Sequence, residues 1–162
     1  HNMFQDMTRE TPYAFARQNV PCVGFNTRRA TRLVTQFYDR ALAPAGLRST
    51  QFSLLSVLAL VPALNMGDLA GILAMDRTTL TRNLQPLLKR GWARAQRGAD
   101  RRARMVQITP AGRNKLHGAQ PLWEEAQKHI TSRLGEEHWE RMLGELHRLS
   151  MIVEGDADGE DG

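Results

Sequence analysis

Between residues 22 and 153 the hydrophobic positions recur at helical spacing in six stretches and alternate with a period of two in one. The first stretch starts near Phe25 and carries Ala30, Leu33, Val34, Phe37, Tyr38, Ala41 and Leu42, with Pro44 and Gly46 as its stop. Its other face holds Arg28, Arg29, Arg32 and Arg40. The second, with Thr50 as the expected cap, has Phe52, Leu54, Leu55, Val57, Leu58, Leu60 and Val61 nearly all round it, which predicts burial on several sides up to Pro62. A short third helix with Leu69, Ala70, Ile72 and Leu73 follows Asn65, a natural N-cap, and places Asp68 at N3 near the positive end of the dipole. After Ala74 and Met75, Asp76 can cap a fourth helix from Arg77 to about Arg90, stopped by Gly91. Pro86 cannot donate to the carbonyl of Arg82, so a kink or a split is expected there.

From Trp92 to Thr109 the pattern changes. ARAQR and RMVQIT alternate around GADRR, whose Gly98 and Asp100 are turn formers, and the stretch reads as a hairpin with a basic tip. Thr109 and Pro110, cap and first helical position, open a long fifth helix with Leu116, Leu122, Trp123, Ala126 and Ile130, in which Pro121 marks a candidate bend. Gly135 separates a sixth helix striped by Trp139, Met142, Leu143, Leu146, Leu149 and Val153. The expected fold is therefore mainly α with a small β-hairpin wing: a winged helix-turn-helix joined to an α-helical dimerisation region. Residues 1–21 read as an N-terminal arm, with His1 and Asn2 ahead of Met3 as an added leader. Residues 22–153 form the domain, with the DNA-binding part at about 50–110, and 154–162 form a disordered acidic tail.

Charge sharpens this picture. From Gly67 to Lys115 there are eleven bases against three acids, a net +8, whereas the rest of the chain is net negative. A footprint for nucleic acid has to be concentrated in this way, and here it falls on the short helix, tight turn, longer helix and hairpin. With Leu80, Leu84 and Leu87 taken as the inward face, Thr78, Arg82, Gln85 and Lys89 point outward and Thr81 flanks them. Arginine can read guanine, glutamine adenine and threonine a thymine methyl, so Arg82 is the first candidate for a base contact and Arg77, in the first turn, for a phosphate. Arg101, Arg102 and Arg104 would reach the adjacent minor groove, with Asp100 holding a neighbouring arginine or the turn.

The run GDLAGILAMDRTTLTRNLQPLLKRGWARAQRGADRRARMVQITPAGRNKL resembles the core of the MarR family, and the likeness extends over about residues 22–152. It rests on the LA pair, MDRTTLTR, the D-x-R wing and the ITPAG exit. The resemblance implies a homodimer built from the first, fifth and sixth helices, a repressor role, and a sensing pocket between the dimerisation and DNA-binding parts. It also matches Asp100 and Arg102 to the wing pair and Thr81 and Arg82 to the recognition-helix pair. Ala74 stands where many helix-turn-helix proteins have glycine.

Two function classes stay open: a sequence-specific regulator of double-stranded DNA with a near-palindromic operator, and a winged-helix protein-interaction module without DNA contact. For the regulator, relief by a small apolar or aromatic anionic ligand is expected, its walls formed by side chains such as Phe52 and Leu55 with arginines of the first helix. Cys22, the single cysteine, supports a second mechanism. It precedes the first helix, a setting in which thiols become reactive, and redox-sensing relatives in the family carry a cysteine near this place, although the tyrosines that accompany it there are not evident; a buried, inert cysteine is the alternative. His117, His129, His138 and His147 match no compact ligand set, so no metal or cofactor is expected. Nor is an enzyme, since there is no phosphate loop, nucleophile elbow or H-E-x-x-H. The apolar run at Leu54 to Leu64 falls short of the ~20 residues that cross a bilayer, and the first residues lack the pattern of a signal peptide, so a cytoplasmic protein without membrane contact is expected.

Overall fold

The computed structural model describes residues 21–97 and 104–158. Helix α1 spans Val23–Leu42, and the Cys22 sulfur at its N-cap accepts from the Phe25 backbone N–H at 3.5 Å. A single 3-10 turn, Ala43–Ala45, ends at Gly46, whose φ of +63° suits glycine. Helix α2 spans Ser49–Leu60 and so starts one residue before the expected Thr50 cap. The difference is tertiary. Asp39 Oδ1, on α1, accepts both the backbone N–H and the hydroxyl of Ser49 at 2.7 Å, and the Gln51 side chain accepts the Arg48 N–H at 3.0 Å. An acceptor ten residues away satisfies the orphan donor that a local cap would otherwise serve.

Strand β1 is only Leu64–Asn65, and helix α3 is Met66–Ile72. Asn65 caps α3 as expected, accepting from the Asp68 N–H at 2.8 Å and donating to its carboxylate at 2.6 Å. Helix α4 runs Arg77–Lys89 without the split anticipated at Pro86. Pro86 lies in the last turn, and Arg82, whose carbonyl loses its donor, is exposed, so water can take the place of the missing N–H. Gly91, at φ +68°, ends the helix. The Gly91 N–H reaches the Leu88 carbonyl at 3.0 Å and the Trp92 N–H reaches that of Leu87 at 2.9 Å, the paired bonds of a Schellman stop.

Strands β2, Ala93–Arg97, and β3, Arg104–Ile108, form the expected hairpin in antiparallel register from Ala93 opposite Ile108 to Arg97 opposite Arg104. β1 adds to the far edge of β3, pairing Leu64 with Val106, so the sheet has three strands in the order β1-β3-β2. That third strand was not anticipated, because two residues carry no alternation to read. Helix α5 spans Pro110–Leu134 uninterrupted by Pro121, and α6 spans Glu136–Asp158. α6 thus continues into the acidic stretch read as a disordered tail.

The core collects Leu42, Leu47, Phe52, Leu54, Leu55, Leu58, Leu69, Leu80, Leu84, Leu87, Val106 and Ile108 under α5, which contributes Ala119. Phe52 of α2 stacks on Trp123 of α5 with ring centres 5.8 Å apart. Burial of α2 on several sides is therefore observed, with Ser53 and Leu60 as its exposed positions. Among the described residues no helix is long and apolar enough to cross a membrane.

Candidate nucleic-acid interface

The site is α3, a four-residue turn, α4 and the hairpin. Leu69 and Ala70 of α3 are buried against Leu80, Leu84 and Leu87 of α4, and the apolar brace predicted for the pair is formed. The turn between them passes through Ala74 at φ +48°, a left-handed conformation in a residue with a Cβ. Its amide bonds back to Gly71 and that of Met75 to Ala70, at 3.0 and 2.9 Å, which holds the turn closed. Asp76 then caps α4, accepting the Thr79 N–H at 2.8 Å and the Thr79 hydroxyl at 2.6 Å. Those two bonds, the hydroxyl first, hold the exposed Asp76 carboxyl below the usual aspartate range.

With its inner face set by the three leucines, α4 exposes Arg77, Thr78, Thr81, Arg82, Gln85 and Lys89, the six side chains that the sequence assigned to reading and positioning. The Thr81 hydroxyl donates to the Arg77 carbonyl at 2.7 Å, which leaves the threonine methyl and an oxygen lone pair for a partner. Arg77, Thr81 and Gln85 also line a cleft of about 430 Å³ whose far wall is Ala95 and Arg104 of the hairpin. Arg104 therefore opens β3 on the α4 side, in one cleft with Arg77, and not at the hairpin tip where it was expected to reach outward. Asp100, Arg101 and Arg102 lie outside the described residues.

One pair on the hairpin was not singled out from the sequence. Arg94 donates through Nε and Nη2 to the Gln107 side-chain oxygen, at 3.0 and 2.8 Å, on the exposed face of the strands. Once the register is set by the buried Ala93 opposite Ile108, the next pair is Arg94 with Gln107, so a correct register was the signal that would have found it. Away from this surface, Cys22 is exposed on the single chain, at the start of α1. Among the described residues no three or more His, Cys, Asp or Glu side chains come together as metal ligands.

Comparison with known proteins bears on the whole domain. The MarR family profile matches residues 45–103, which run from the α1–α2 turn into the hairpin. The crystal structure of the M. tuberculosis transcriptional regulator MosR in complex with DNA is 40% identical and superposes with a TM-score of 0.76, covering 83% of this chain and 97% of that one. The chain belongs to the MarR family. Membership makes it a DNA-binding transcription regulator in class, and not an enzyme. A second relative in this family, the transcriptional repressor CouR bound to a 23-mer DNA duplex, is 27% identical with a TM-score of 0.73 over 80% of this chain and 92% of its own. The helix-turn-helix regulator YwoH of Bacillus subtilis is 28% identical over 86 residues, a match that spans 53% of this chain and 63% of that protein, just under two thirds of its length.

Proposed function

We propose that this MarR-family protein is a cytoplasmic, homodimeric repressor that reads a near-palindromic operator through α4 and is relieved by a small aromatic ligand. The observation that carries the reading of DNA is the outward face of α4, where Thr78, Arg82, Gln85 and Lys89 stand exposed on a helix whose opposite side is buried leucine. A helix so presented fits one major groove, and two related by a dyad would lie about 34 Å apart, one turn of DNA. The dyad is supported by unpartnered apolar surface on the other side of the molecule. Leu33 and Val34 of α1 and Met142, Leu143 and Leu146 of α6 are each at least one third exposed, and Val34, Leu143 and Leu146 line a groove of about 570 Å³ between the two helices. A winged-helix interaction module without DNA contact leaves the basic outward face of α4 without a purpose. Selection from random duplexes, followed by salt-titrated binding, tests the proposal. The expected result is an inverted repeat bound by two chains, and sequence-independent or absent binding overturns it.

The ligand reading rests on a cavity of about 200 Å³ between α1, α2 and α5, lined by Tyr38, Leu42, Ser49, Phe52, Ser53 and Trp123. It differs from the walls expected from sequence. Phe52 is present, but Leu55 is fully buried elsewhere in the core and no arginine of α1 is in the lining. The wall offers aromatic faces and hydroxyls, so a single aromatic ring with a polar substituent fits it, and a preference for an anion has no charged partner there. A second reading, redox control, is favoured by the exposure of Cys22. Peroxide treatment separates the two: loss of operator binding in the parent but not in Cys22→Ser assigns control to the thiol, and loss on addition of aromatic ligands assigns it to the cavity.

A further inference from the structure

The end of α4 gathers positive charge that neither the reading face nor the wing cleft uses. Arg90 follows Lys89 as the C-cap and keeps near-helical dihedrals. At about 100° per residue it stands about 200° from Leu88, which lines the wing cleft, and so projects on the flank of α4 away from the wing. There its Nη1 donates to the Gly46 carbonyl at 3.1 Å, in the turn between α1 and α2. Its guanidinium carbon lies 4.9 Å from the centre of the Trp92 ring, and the Lys115 ammonium, from α5, lies 4.9 Å from the same point. The two cations are thus no more than about 10 Å apart. Arg48 joins Arg90 in lining an open recess of about 490 Å³ over Gly46 and Leu47. A Cβ built on Gly46 would lie 4.0 Å from the Lys115 ammonium, which places that charge at the same turn.

Among the described residues none of Arg48, Arg90 and Lys115 lies within ion-pair distance of a carboxylate. The acid in the recess, Asp39, already accepts twice from Ser49 through one oxygen. Like charges crowded around one turn repel, and an anion entering the recess relieves that repulsion.

We infer that this recess seats a phosphate of the duplex backbone, on the flank of α4 opposite the wing, with Arg48 and Arg90 as its direct donors and Lys115 adding charge behind the turn. The inference rests on the DNA reading proposed above and extends it. At about 100° per residue the outward Arg82 and Lys89 stand between the wing flank of α4, with Arg77, and the flank of Arg90, so the recess borders the surface against which the duplex lies. A major groove is bordered by a backbone on each side. The wing cleft with Arg77 and Arg104 serves one border, and Arg48 and Arg90 serve the other. A free phosphorylated small molecule has the same head-group chemistry and is the alternative occupant to be separated by experiment.

The test compares the full chain with Arg48→Gln and Arg48→Gln/Arg90→Gln on a mixed-sequence duplex and on the selected operator, over a range of salt. Each phosphate contact contributes about 0.9 to the slope of log K against log salt. The double variant is expected to lose about 0.9 of slope for each chain bound, so about 1.8 for a dimer, on both duplexes, with base preference unchanged. Single methylphosphonate substitutions along the operator should show one backbone position per half-site at which the parent weakens and the double variant does not. Arg48→Gln alone serves as the variant that keeps the Arg90–Gly46 bond, and should retain the parent's melting temperature and lose part of the slope. Parent-like slope and methylphosphonate profile in both variants overturn the seat while leaving the DNA reading intact. Saturable binding of inorganic pyrophosphate to the DNA-free parent, lost in the double variant with an unchanged slope on DNA, assigns the recess to a free anion and also overturns it. A parent that shows no salt-dependent duplex binding removes both readings.

Discussion

Two glycines on one helix should respond to alanine with opposite signs. Gly112 is the third residue of α5, and a Cβ there would meet the Trp92 carbonyl oxygen at 2.0 Å and the Ile108 Cγ1 at 2.9 Å. The oxygen belongs to backbone that already accepts the Thr109 N–H at 3.0 Å, while the Thr109 hydroxyl donates to the Gly91 carbonyl at 2.6 Å and accepts the Gly112 N–H at 3.0 Å. Relief requires roughly 1 Å of backbone movement, with an overpacking cost of ~1 to 3 kcal/mol. Loosening the two bonds from Thr109 to Gly91 and Trp92 adds ~1 kcal/mol each. Against this, alanine regains at most ~1 kcal/mol of helix propensity, less in a first turn. Gly112→Ala should therefore lose about 3 kcal/mol, or ~6 to 12 °C in Tm for a chain of this size. Gly118, on the same helix, has nothing within 4 Å of its built Cβ and is exposed. Gly118→Ala should gain ~0.5 to 1 kcal/mol and ~1 to 4 °C. Guanidinium unfolding of both variants at one fixed protomer concentration reads the difference, since a dimer's apparent stability depends on concentration. A Gly112→Ala protein as stable as the parent would refute the close approach, and a destabilised Gly118→Ala would refute the reasoning from free space.

Arg82→Ala should cost ~1 to 3 kcal/mol of operator binding and relax preference at one base position per half-site, whereas Arg102→Ala should weaken binding with less change of preference; competition with single-base operator variants distinguishes these outcomes. Ala74, at φ +48°, should tolerate Gly with no loss or a gain of ~0.5 kcal/mol and should lose ~1 to 2 kcal/mol as Val, measured by denaturant midpoints. The Asp76 carboxyl is held below its usual range in the folded chain, so the stabilisation it gives α4 is fully present at neutral pH. That stabilisation starts to fall as pH drops into the unfolded aspartate range near ~4 and is gone below the lowered folded value. Amide exchange at the start of α4 should lose protection over that acid window in the parent, and Asp76→Asn, which can cap without titrating, should flatten the dependence.

Most of this architecture is visible in the sequence because each boundary is set by nearby chemistry. Asn65, Asp76 and Thr109 cap their helices by bonding an amide three residues on, and Gly91 and Gly135 take positive φ where the apolar stripe ends. What the sequence misplaced depends on distant partners. The start of α2 is moved by Asp39 across the α1 turn, and β1 exists only because β3 offers an open edge. Pro86 and Pro121 did not interrupt their helices, since a missing donor is costly only where no water can serve the carbonyl. For the site, outward direction on α4 followed from helical period alone. The side of the sheet on which Arg104 lies followed from a register that composition does not reveal, and the convergence of Arg48, Arg90 and Lys115 from three elements has no linear signature at all.

The bonds that end α4 also determine how the proposed cavity can act on DNA. The backbone that leaves the helix at Gly91 and Trp92 is bonded to Thr109 at the start of α5, and Arg90 ties the same end to the turn after α1. Arg113 of α5 donates in turn to the Ala59 carbonyl at the end of α2, at 3.3 Å. With its C-terminal end held in this way, α4 cannot roll about its own axis without breaking several hydrogen bonds at once. The outward face of α4 therefore keeps its direction, and the freedom that remains is displacement of α3, α4 and the hairpin together with α2 and the first turns of α5. A ligand in the proposed cavity would lie beside the stacked Phe52 and Trp123, where α2 and α5 meet α1. Such a ligand would act by favouring one separation of the two reading heads over another, and would shift affinity only as far as it bound the two separations differently. By linkage, operator DNA would change the affinity of that ligand by the same factor.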